Sequence, residues 1–251
     1  MVYYKHLNIF VYIKDAESIY SMNEHTITSG NLHYSVMLNA VVLSLKDRKL
    51  QVLLSMDNHN QSSALWGLPD CILPSTGWLD EYVRYMLKER YNIAPTYLHE
   101  YGIHRGYTGA TKENTLQVLY LVLTRVPEFQ FEYKTSHARW FSVNNLPDIS
   151  KETEIQLQRA LDALSERIFF EPVAFDLLPE YFTMGQLQHL YESILGLVFD
   201  RRNFSKKMNH LGVLVPKKME EKFADGRSRV LYTLNADKYR EFKACKLKLE
   251  F

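Results

Sequence analysis

The residues best suited to chemistry lie near the carboxyl terminus, where residues 201–209 read R-R-N-F-S-K-K-M-N. If Phe204 and Met208, spaced i, i+4, face a core, the other side chains point largely outward. Guanidinium and amide groups near a helix N-terminus suit base edges in a major groove, and Lys and Ser suit phosphates. The pattern therefore predicts a helix that reads DNA. Its predicted contact residues are Arg201, Arg202, Asn203, Ser205, Lys206, Lys207 and Asn209.

The charge of the chain is segregated along its length. Lys plus Arg is 30 and Asp plus Glu is 29 in 251 residues, a formal net charge of +1. Residues 201–251 hold 14 basic and 6 acidic residues (net +8), so residues 1–200 hold 16 and 23 (net −7). A charged helix can be only a solvated surface, but this segregation favours nucleic acid. Further phosphate contacts, sensitive to salt, are predicted for Lys217, Lys218, Arg227 and Arg229.

Two helices and a β-hairpin are predicted around the basic segment. Thr183 and Gln186 have the spacing of a capping box, at the start of a helix that would end at Gly196. Asp200 is placed to cap the second helix. The hairpin strands are predicted at residues 213–216 and 229–234. Helix, helix and hairpin together predict a winged helix.

The preceding part of the chain has the pattern of a domain that mixes strands and helices. Strands are predicted at residues 34–45, 50–56, 96–102 and 116–124, with a polar loop at 104–114. Amphipathic helices are predicted at residues 79–93 and 151–170, the second with Ile155, Leu157, Leu161 and Leu164 as its apolar face. The predicted organisation is an N-terminal extension without a readable role (1–33), this domain (34–170), and a linker, winged helix and tail (171–251).

Composition excludes several classes of protein. Apolar residues make up 46% of the chain and charged residues 24%, which argues against disorder and low complexity. Cys71 and Cys245 match no metal or redox spacing, so neither a zinc site nor a disulfide framework is expected. No secretory signal pattern or bilayer-spanning apolar run is found, and we expect a cytoplasmic protein without a membrane partner.

The segment W-G-L-P at residues 66–69, the helix after it and the later A-R-W-F-S-V-N-N-L-P-D-I (138–149) resemble a Nudix domain. The resemblance implies an α/β/α sandwich, and hence an α+β chain once the winged helix is added. Nudix hydrolases carry the box G-x5-E-x7-R-E-U-x-E-E-x-G-U, whose carboxylates bind a divalent metal that polarises a pyrophosphate and activates water.

That box is damaged in this chain. Of its seven non-aliphatic positions only Glu89 matches the pattern; the others fall on Cys71, Gly77, Tyr85, Met86, Arg90 and Asn92. One carboxylate beside Arg90 cannot assemble a magnesium site, because hard divalent ions require several oxygen ligands. We therefore expect no catalytic residues, no bound metal and no cofactor. Glu89 is then most simply paired with a nearby cation.

Three motifs extend the resemblance into the last third. L-P-x-x-F-T, L-Q-x-x-Y-E-x-I-L-G and D-R-R-N-F-S-K-K lie within residues 175–214. With the damaged box, they make residues 34–240 similar to the Nudix-related transcriptional regulators. The resemblance implies a homodimeric repressor or activator that binds a small effector in the Nudix-like domain and a pseudo-palindromic double-stranded operator through the winged helix. A single mobile joint between Pro172 and Pro179 would suffice to couple the two.

The resemblance leaves two effector classes open, ADP-ribose and a pentose such as arabinose. ADP-ribose sensors of this group keep more of the box or a loop of the type D-R-D-P-R, whereas residues 103–114 here read I-H-R-G-Y-T-G-A-T-K-E-N. Planar polar side chains and an aromatic platform would suit a sugar. The candidate effector residues are Trp66, Glu89, Arg105, Tyr107, Lys112 and Glu113. The alternative interpretation is that these side chains face solvent in loops and that Trp66 is a structural packing residue.

Two other functions remain open from the sequence. A metal-dependent Nudix hydrolase of a nucleoside diphosphate derivative with an appended nucleic-acid-binding domain would show magnesium-dependent turnover. A protein-interaction module would use the C-terminal domain as a docking surface and would show no salt-sensitive DNA binding.

Overall fold

The computed structural model describes residues 26–29, 32–46, 49–56, 65–73, 78–108, 113–125, 138–168, 173–217 and 230–245. The strands are β1 Thr26–Ser29, β2 Leu32–Lys46, β3 Lys49–Ser55, β4 Asp70–Ile72, β5 Tyr97–Thr108, β6 Glu113–Leu123, β7 Ala138–Ser142, β8 Phe182–Thr183, β9 Leu214–Lys217 and β10 Leu231–Leu234. The α-helices are α1 Leu79–Tyr91, α2 Lys151–Arg167, α3 Met184–Leu195, α4 Arg201–His210 and α5 Ala236–Cys245, and a 3-10 helix spans Val173–Leu177.

The centre of the first domain is a mixed sheet in the order β5-β6-β2-β3-β7, with β1 and β4 also pairing with β2. Strands β2 and β6 run parallel, and the other pairs in this sheet are antiparallel. Their apolar runs are buried from Val36 to Leu43 and from Val118 to Leu123, as expected for strands covered on both faces. β1 pairs antiparallel with the start of β2, so residues 26–29 and 32–33 of the N-terminal extension belong to this sheet.

One helix covers each face of the sheet. Val83, Met86 and Leu87 of α1 pack with Leu38, Val42 and other residues of one face, whereas Leu157 and Leu164 of α2 pack with the opposite face. Successive strand side chains alternate between these two clusters, as the pleat requires. The predicted α/β/α sandwich is confirmed.

Two sequence expectations in this domain are wrong. The predicted loop 104–114 is mostly a hairpin, because Arg105 pairs with Leu116 and Tyr107 with Asn114 in the β5–β6 ladder. Polar residues are tolerated there since β5 is an edge strand. In α2, Ile155 is exposed and Gln156 is buried, so the helix is rotated relative to the predicted apolar face. Gln156 can be buried because its amide is hydrogen-bonded to Gln117.

The winged helix is present as predicted. Helices α3 and α4 are followed by the hairpin β9–β10, and β10 also pairs with β8, so the small sheet has the order β8-β10-β9. The predicted stop of α3 is confirmed, because Gly196 adopts a left-handed conformation with φ of 65°. β8 and α5 were not predicted from the sequence: β8 is two residues long, and α5 lies in the region interpreted as a tail.

The segment between the domains is part of the core. Val173, Ala174, Phe175, Leu177 and Leu178 are buried in a cluster that also contains residues of β3, α2, α3 and α4. Their backbone is held from the Nudix-like side, because Thr96 Oγ1 donates to Asp176 O at 2.8 Å and Arg125 Nη2 to Phe175 O at 3.3 Å. The segment predicted to be a joint is therefore packed into the core between the two domains.

No helix within the described ranges is long and apolar enough to cross a bilayer.

Candidate functional site

Helix α4 has one buried face and one exposed cationic face. Phe204 is 2% exposed and Met208 0%, which confirms the predicted orientation of the helix. The side chains of the exposed face are Arg201, Arg202, Asn203, Lys206, Lys207 and Asn209, and Ser205 is partly exposed. The helix holds no acidic residue. Its outer surface therefore presents cations, amides and a hydroxyl, the groups used for contacts to phosphates and base edges.

The turn before α4 is held by side chains. Asp200 caps α4 by accepting a hydrogen bond from Asn203 N at 2.9 Å. Glu192 of α3 accepts from Phe199 N at 3.0 Å, and Gln188 donates to Phe199 O at 2.9 Å. Burial acts to raise the pKa of Glu192, but the hydrogen bonds from Phe199 and Gln188 and the nearby His189 outweigh it and lower this pKa overall.

Aromatic contacts fix the angle between α3 and α4. The ring of Phe204 lies 5.7 Å from that of Tyr191, edge to face, and 5.5 Å from that of Phe199. Such pairs add to the burial energy and prefer defined geometries. The recognition surface of α4 is thus presented by a helix pair with a packed interior.

The wing contributes one described cation. Lys217, at the end of β9, is exposed and its Nζ lies 5.2 Å from the ring of Tyr181, a cation–π arrangement. The predicted phosphate contacts Lys218, Arg227 and Arg229 lie outside the described residues.

Helix α1 lacks a metal-binding face. Met86 is buried, Tyr85 is 65% exposed, and Arg90 donates to Asp70 O at 2.9 Å. Glu89 is exposed and has an interaction partner of its own. Within the described ranges no group of three or more His, Cys, Asp or Glu could hold a metal ion. This set of side chains does not fit a divalent cation.

Three other box positions contribute to the packing of α1 or to the end of this helix. Leu87 and Ile93, which match the aliphatic positions, are buried. Asn92, which stands where the box has Gly, ends α1 in a left-handed conformation with φ of 54° and is stabilised there by a hydrogen bond from Lys88 Nζ. The helix has therefore retained its packing and its cap while losing its metal ligands.

Three of the predicted effector residues have described side chains, and they lie on different sides of the sheet. Trp66 lies on the α2 side of the sheet, with its ring edge-on to Phe141 at 4.9 Å and Arg139 over its face at 5.9 Å. Glu89 belongs to α1, and Arg105 pairs with Leu116, which packs on the α1 side. Trp66 is thus separated from these two by the sheet. Tyr107 and Glu113 lie on β5 and β6 with undescribed side chains, and Lys112 lies outside the described residues.

A different group of polar side chains lies on the α2 side of the sheet, and we call it the polar cluster: Asn39, His104, Gln117, Glu152 and Gln156. Asn39, Gln117 and Gln156 are buried, and Gln156 Nε2 donates to Gln117 Oε1. His104 Nε2 lies 3.9 Å from Glu152 Oε1. This cluster was not predicted from the sequence. Its signal was a single amide within each of two apolar strands, Asn39 in V-M-L-N-A-V-V-L and Gln117 in T-L-Q-V-L-Y-L-V-L.

Comparisons with known proteins agree with both halves of this architecture. Residues 174–234 match the model of the NrtR DNA-binding winged helix domain. The ADPR responsive transcriptional repressor NtrR of Acinetobacter baylyi is 24% identical over 207 residues, covering 80% of this chain and 82% of that protein.

Solved structures match over most of the chain. Shewanella oneidensis NrtR complexed with a 27mer DNA has a TM-score of 0.70 and 22% identity, covering 82% of this chain and 95% of that one. A MutT/nudix family protein from Enterococcus faecalis has a TM-score of 0.63 and 16% identity, covering 81% and 88%. These findings show that the chain is similar to Nudix-related regulators: its fold is that of NrtR, and residues 174–234 match the DNA-binding winged helix domain of that family.

Proposed function

We propose that the protein is a ligand-responsive transcriptional regulator. Its winged helix binds double-stranded operator DNA, and its Nudix-like domain senses a small metabolite of the sugar or nucleotide-sugar type. The observation that carries the proposal is the exposed face of α4, which holds four Arg or Lys residues and no carboxylate on a helix anchored by Phe204 and Met208. The match of residues 174–234 to a DNA-binding winged helix model supports it.

The proposed contacts follow from the exposed surface. Arg201, Arg202 and Asn203 at the start of α4 read base edges, and the Lys residues of α4 with Lys217 hold phosphates. We extend the phosphate contacts to Arg227 and Arg229 on their sequence alone. A homodimer would place two recognition helices on the two halves of a pseudo-palindromic site.

The Acinetobacter protein is named as ADPR responsive, which supports ADP-ribose as the effector of the present chain. The pentose alternative rests on the family resemblance of the sequence and not on this relative. The Nudix-like domain acts as a sensor without hydrolysis, because Glu89 is the one matching carboxylate of the box and Arg90 stands beside it. Operator binding places the protein in the cytoplasm, with the chromosome.

Retention of genomic fragments tests the regulator function. The full-length protein is incubated with sheared DNA from its source at two salt concentrations, and retained fragments are sequenced. We expect enrichment of a discrete inverted repeat that weakens steeply at the higher salt, because displaced counterions drive part of the binding. Failure to retain any fragment would contradict the proposal.

Turnover assays test the absence of hydrolysis. ADP-ribose incubated with the protein and Mg²⁺ should remain intact, and its magnesium-dependent cleavage would favour the hydrolase alternative.

A further inference from the structure

We propose that the turn between α3 and α4 reads a thymine of the operator, with Val198 packing against the C5-methyl group of that base in the major groove. This inference rests on the proposed function and adds an apolar contact to the polar contacts of α4. The turn comprises residues 196–200, between the end of α3 at Leu195 and the start of α4 at Arg201.

The side chain of Val198 is unusually exposed for an apolar residue. It is 93% exposed, against 65% for Tyr85 and 63% for Trp78, and its neighbour Leu197 is 50% exposed. A single exposed apolar residue is common on protein surfaces. Here two adjacent ones lie directly before the helix that presents the cations, and leaving them in water is unfavourable. The pair is therefore suited to a contact that forms when DNA is bound.

The backbone on both sides of Val198 is fixed by hydrogen bonds. Gly196 N donates to Glu192 O at 2.9 Å, and Phe199 N donates to Glu192 Oε1 at 3.0 Å. Gln188 donates to Phe199 O at 2.9 Å, and the ring of Phe199 packs against the core. Val198 therefore stays on the outside of the turn. Its β-branched side chain has few rotamers, so little side-chain entropy is lost on binding.

The turn lies where the start of α4 approaches DNA. A recognition helix places its N-terminal residues against base edges in the major groove. Val198 precedes Arg201 by three residues, so their Cα atoms are at most about 11 Å apart. Base pairs are spaced about 3.4 Å along the duplex, so this distance covers about three base pairs. Val198 is thus continuous with the cationic surface of α4 and reaches a base pair near those that Arg201 and Arg202 read.

The chemistry of the turn fits thymine better than the other groups of a DNA duplex. The C5-methyl group of thymine is an apolar group of the major groove and is contacted by apolar side chains, whereas phosphates and polar base edges require hydrogen bonds. A protein partner fits less well, because a stable interface buries about 800 Å² on each side. Leu197 and Val198 form only a small apolar surface, and the exposed residues next to them, Gly196 and Asp200, add no apolar side chain.

Removal of single methyl groups from the operator tests the contact. In the operator obtained by fragment retention, each thymine of one half-site is replaced in turn by deoxyuridine, which lacks only the C5-methyl group. Affinity is measured by fluorescence anisotropy. For the wild type we expect a loss of about fourfold at one position, as for one buried methyl group. In Val198→Ala we expect weaker binding of the unmodified operator and no further loss at that position.

The replacement Ile155→Ala is the matched control. Ile155 is also an exposed β-branched residue, 41% exposed, but it lies on α2 in the first domain. Ile155→Ala should bind the unmodified operator with wild-type affinity and keep the loss at the sensitive position. Val198→Ile retains an apolar side chain and should keep this loss as well. Because Val198 is exposed, Val198→Ala should leave the melting temperature unchanged, which separates a lost contact from a lost fold.

Three results would overturn the proposal: a wild type that is insensitive to every deoxyuridine, an undiminished loss in Val198→Ala at the sensitive position, or wild-type affinity of Val198→Ala for the unmodified operator. The second result would assign the methyl contact to a residue of α4, and the third would indicate that the turn serves another partner. Failure of the wild type to bind any operator would contradict the regulator function itself, whereas normal binding without methyl dependence would contradict the thymine contact alone.

Discussion

Helices α1 and α4 each bury one apolar face, but their exposed faces carry different charges. Each buries a short apolar face, with Val83, Met86 and Leu87 in α1 and Phe204 and Met208 in α4. The outer charges of α1 are mixed, because it holds three acidic and three basic residues, whereas α4 holds four Lys or Arg and no acid. The comparison teaches that the buried face secures a helix in the fold and the outer face decides what it can bind.

The positions of α1 that serve its packing differ from those where the Nudix box has metal ligands. Leu87 and Ile93 are buried and Asn92 ends the helix in a left-handed conformation, whereas Met86, at a position where the box has Glu, is a buried core residue. Packing therefore depends on residues of this segment other than the carboxylates of the box.

The largest expected effect comes from removing the outer cations of α4. Arg201→Ala with Arg202→Ala should weaken operator binding roughly 100-fold or more, since each good base contact contributes about 1–3 kcal/mol. The control is Arg84→Ala with Lys88→Ala, which removes two exposed cations from α1 and should leave affinity unchanged. Fluorescence anisotropy on the retained operator measures both. Equal losses in the two pairs would show that net charge, not the α4 surface, governs binding.

The buried faces should contribute comparable stability to the two helices, with different consequences for DNA. Phe204→Ala and Leu87→Ala should each lower the free energy of unfolding by about 3–5 kcal/mol, because both side chains are buried and leave cavities. Phe204→Ala should also weaken DNA binding, since Phe204 packs against Tyr191 and Phe199 and sets the angle of α4. Urea unfolding and anisotropy below the unfolding transition separate the effects. Full DNA affinity in Phe204→Ala would argue against that positioning role.

Restoring carboxylates to α1 should damage the fold without creating an enzyme. In Met86→Glu with Arg90→Glu, the first change buries a carboxyl group and the second removes the hydrogen bond to Asp70 O. We expect a loss of roughly 2–4 kcal/mol in unfolding free energy, as for a buried polar group without a partner. No magnesium-dependent turnover of ADP-ribose is expected, because Gly77 and Tyr85 still stand where the Nudix box has Glu and Arg. Robust turnover by this variant would show that α1 is closer to a catalytic helix than its residues indicate.

The smallest effect concerns the turn that sets α4 in place. The pKa of Glu192 is lowered in the folded protein, so its carboxylate adds stability above the ordinary carboxyl pKa and that stability is lost as the pH falls through the lowered value. Glu192→Gln should therefore be less stable than the wild type at neutral pH, and the difference should shrink toward pH 3. Thermal unfolding across this range measures it. A difference independent of pH would assign the contribution to packing rather than to charge.

Local sequence patterns were sufficient to predict where a helix begins or ends. The capping box of Thr183 and Gln186, the cap at Asp200 and the stop at Gly196 are confirmed because each depends on residues within a few positions of one another. The orientation of α4 is confirmed for the same reason. The predicted buried face of α2 was wrong at Ile155, which is exposed, while its neighbour Gln156 is buried. The hydrogen-bond partner that makes this burial possible, Gln117, lies 39 residues away in the chain.

The sequence by itself determined the mixed domain, the winged helix and the basic outer surface of α4, because spacing, caps and charge are local properties. Only the tertiary structure decided that Trp66 and Glu89 lie on opposite sides of the sheet, that residues 173–178 belong to the core, and that Gln117 on β6 meets Gln156 of α2. Those facts depend on strand order and register, which bring together residues far apart in the chain and which no local pattern encodes.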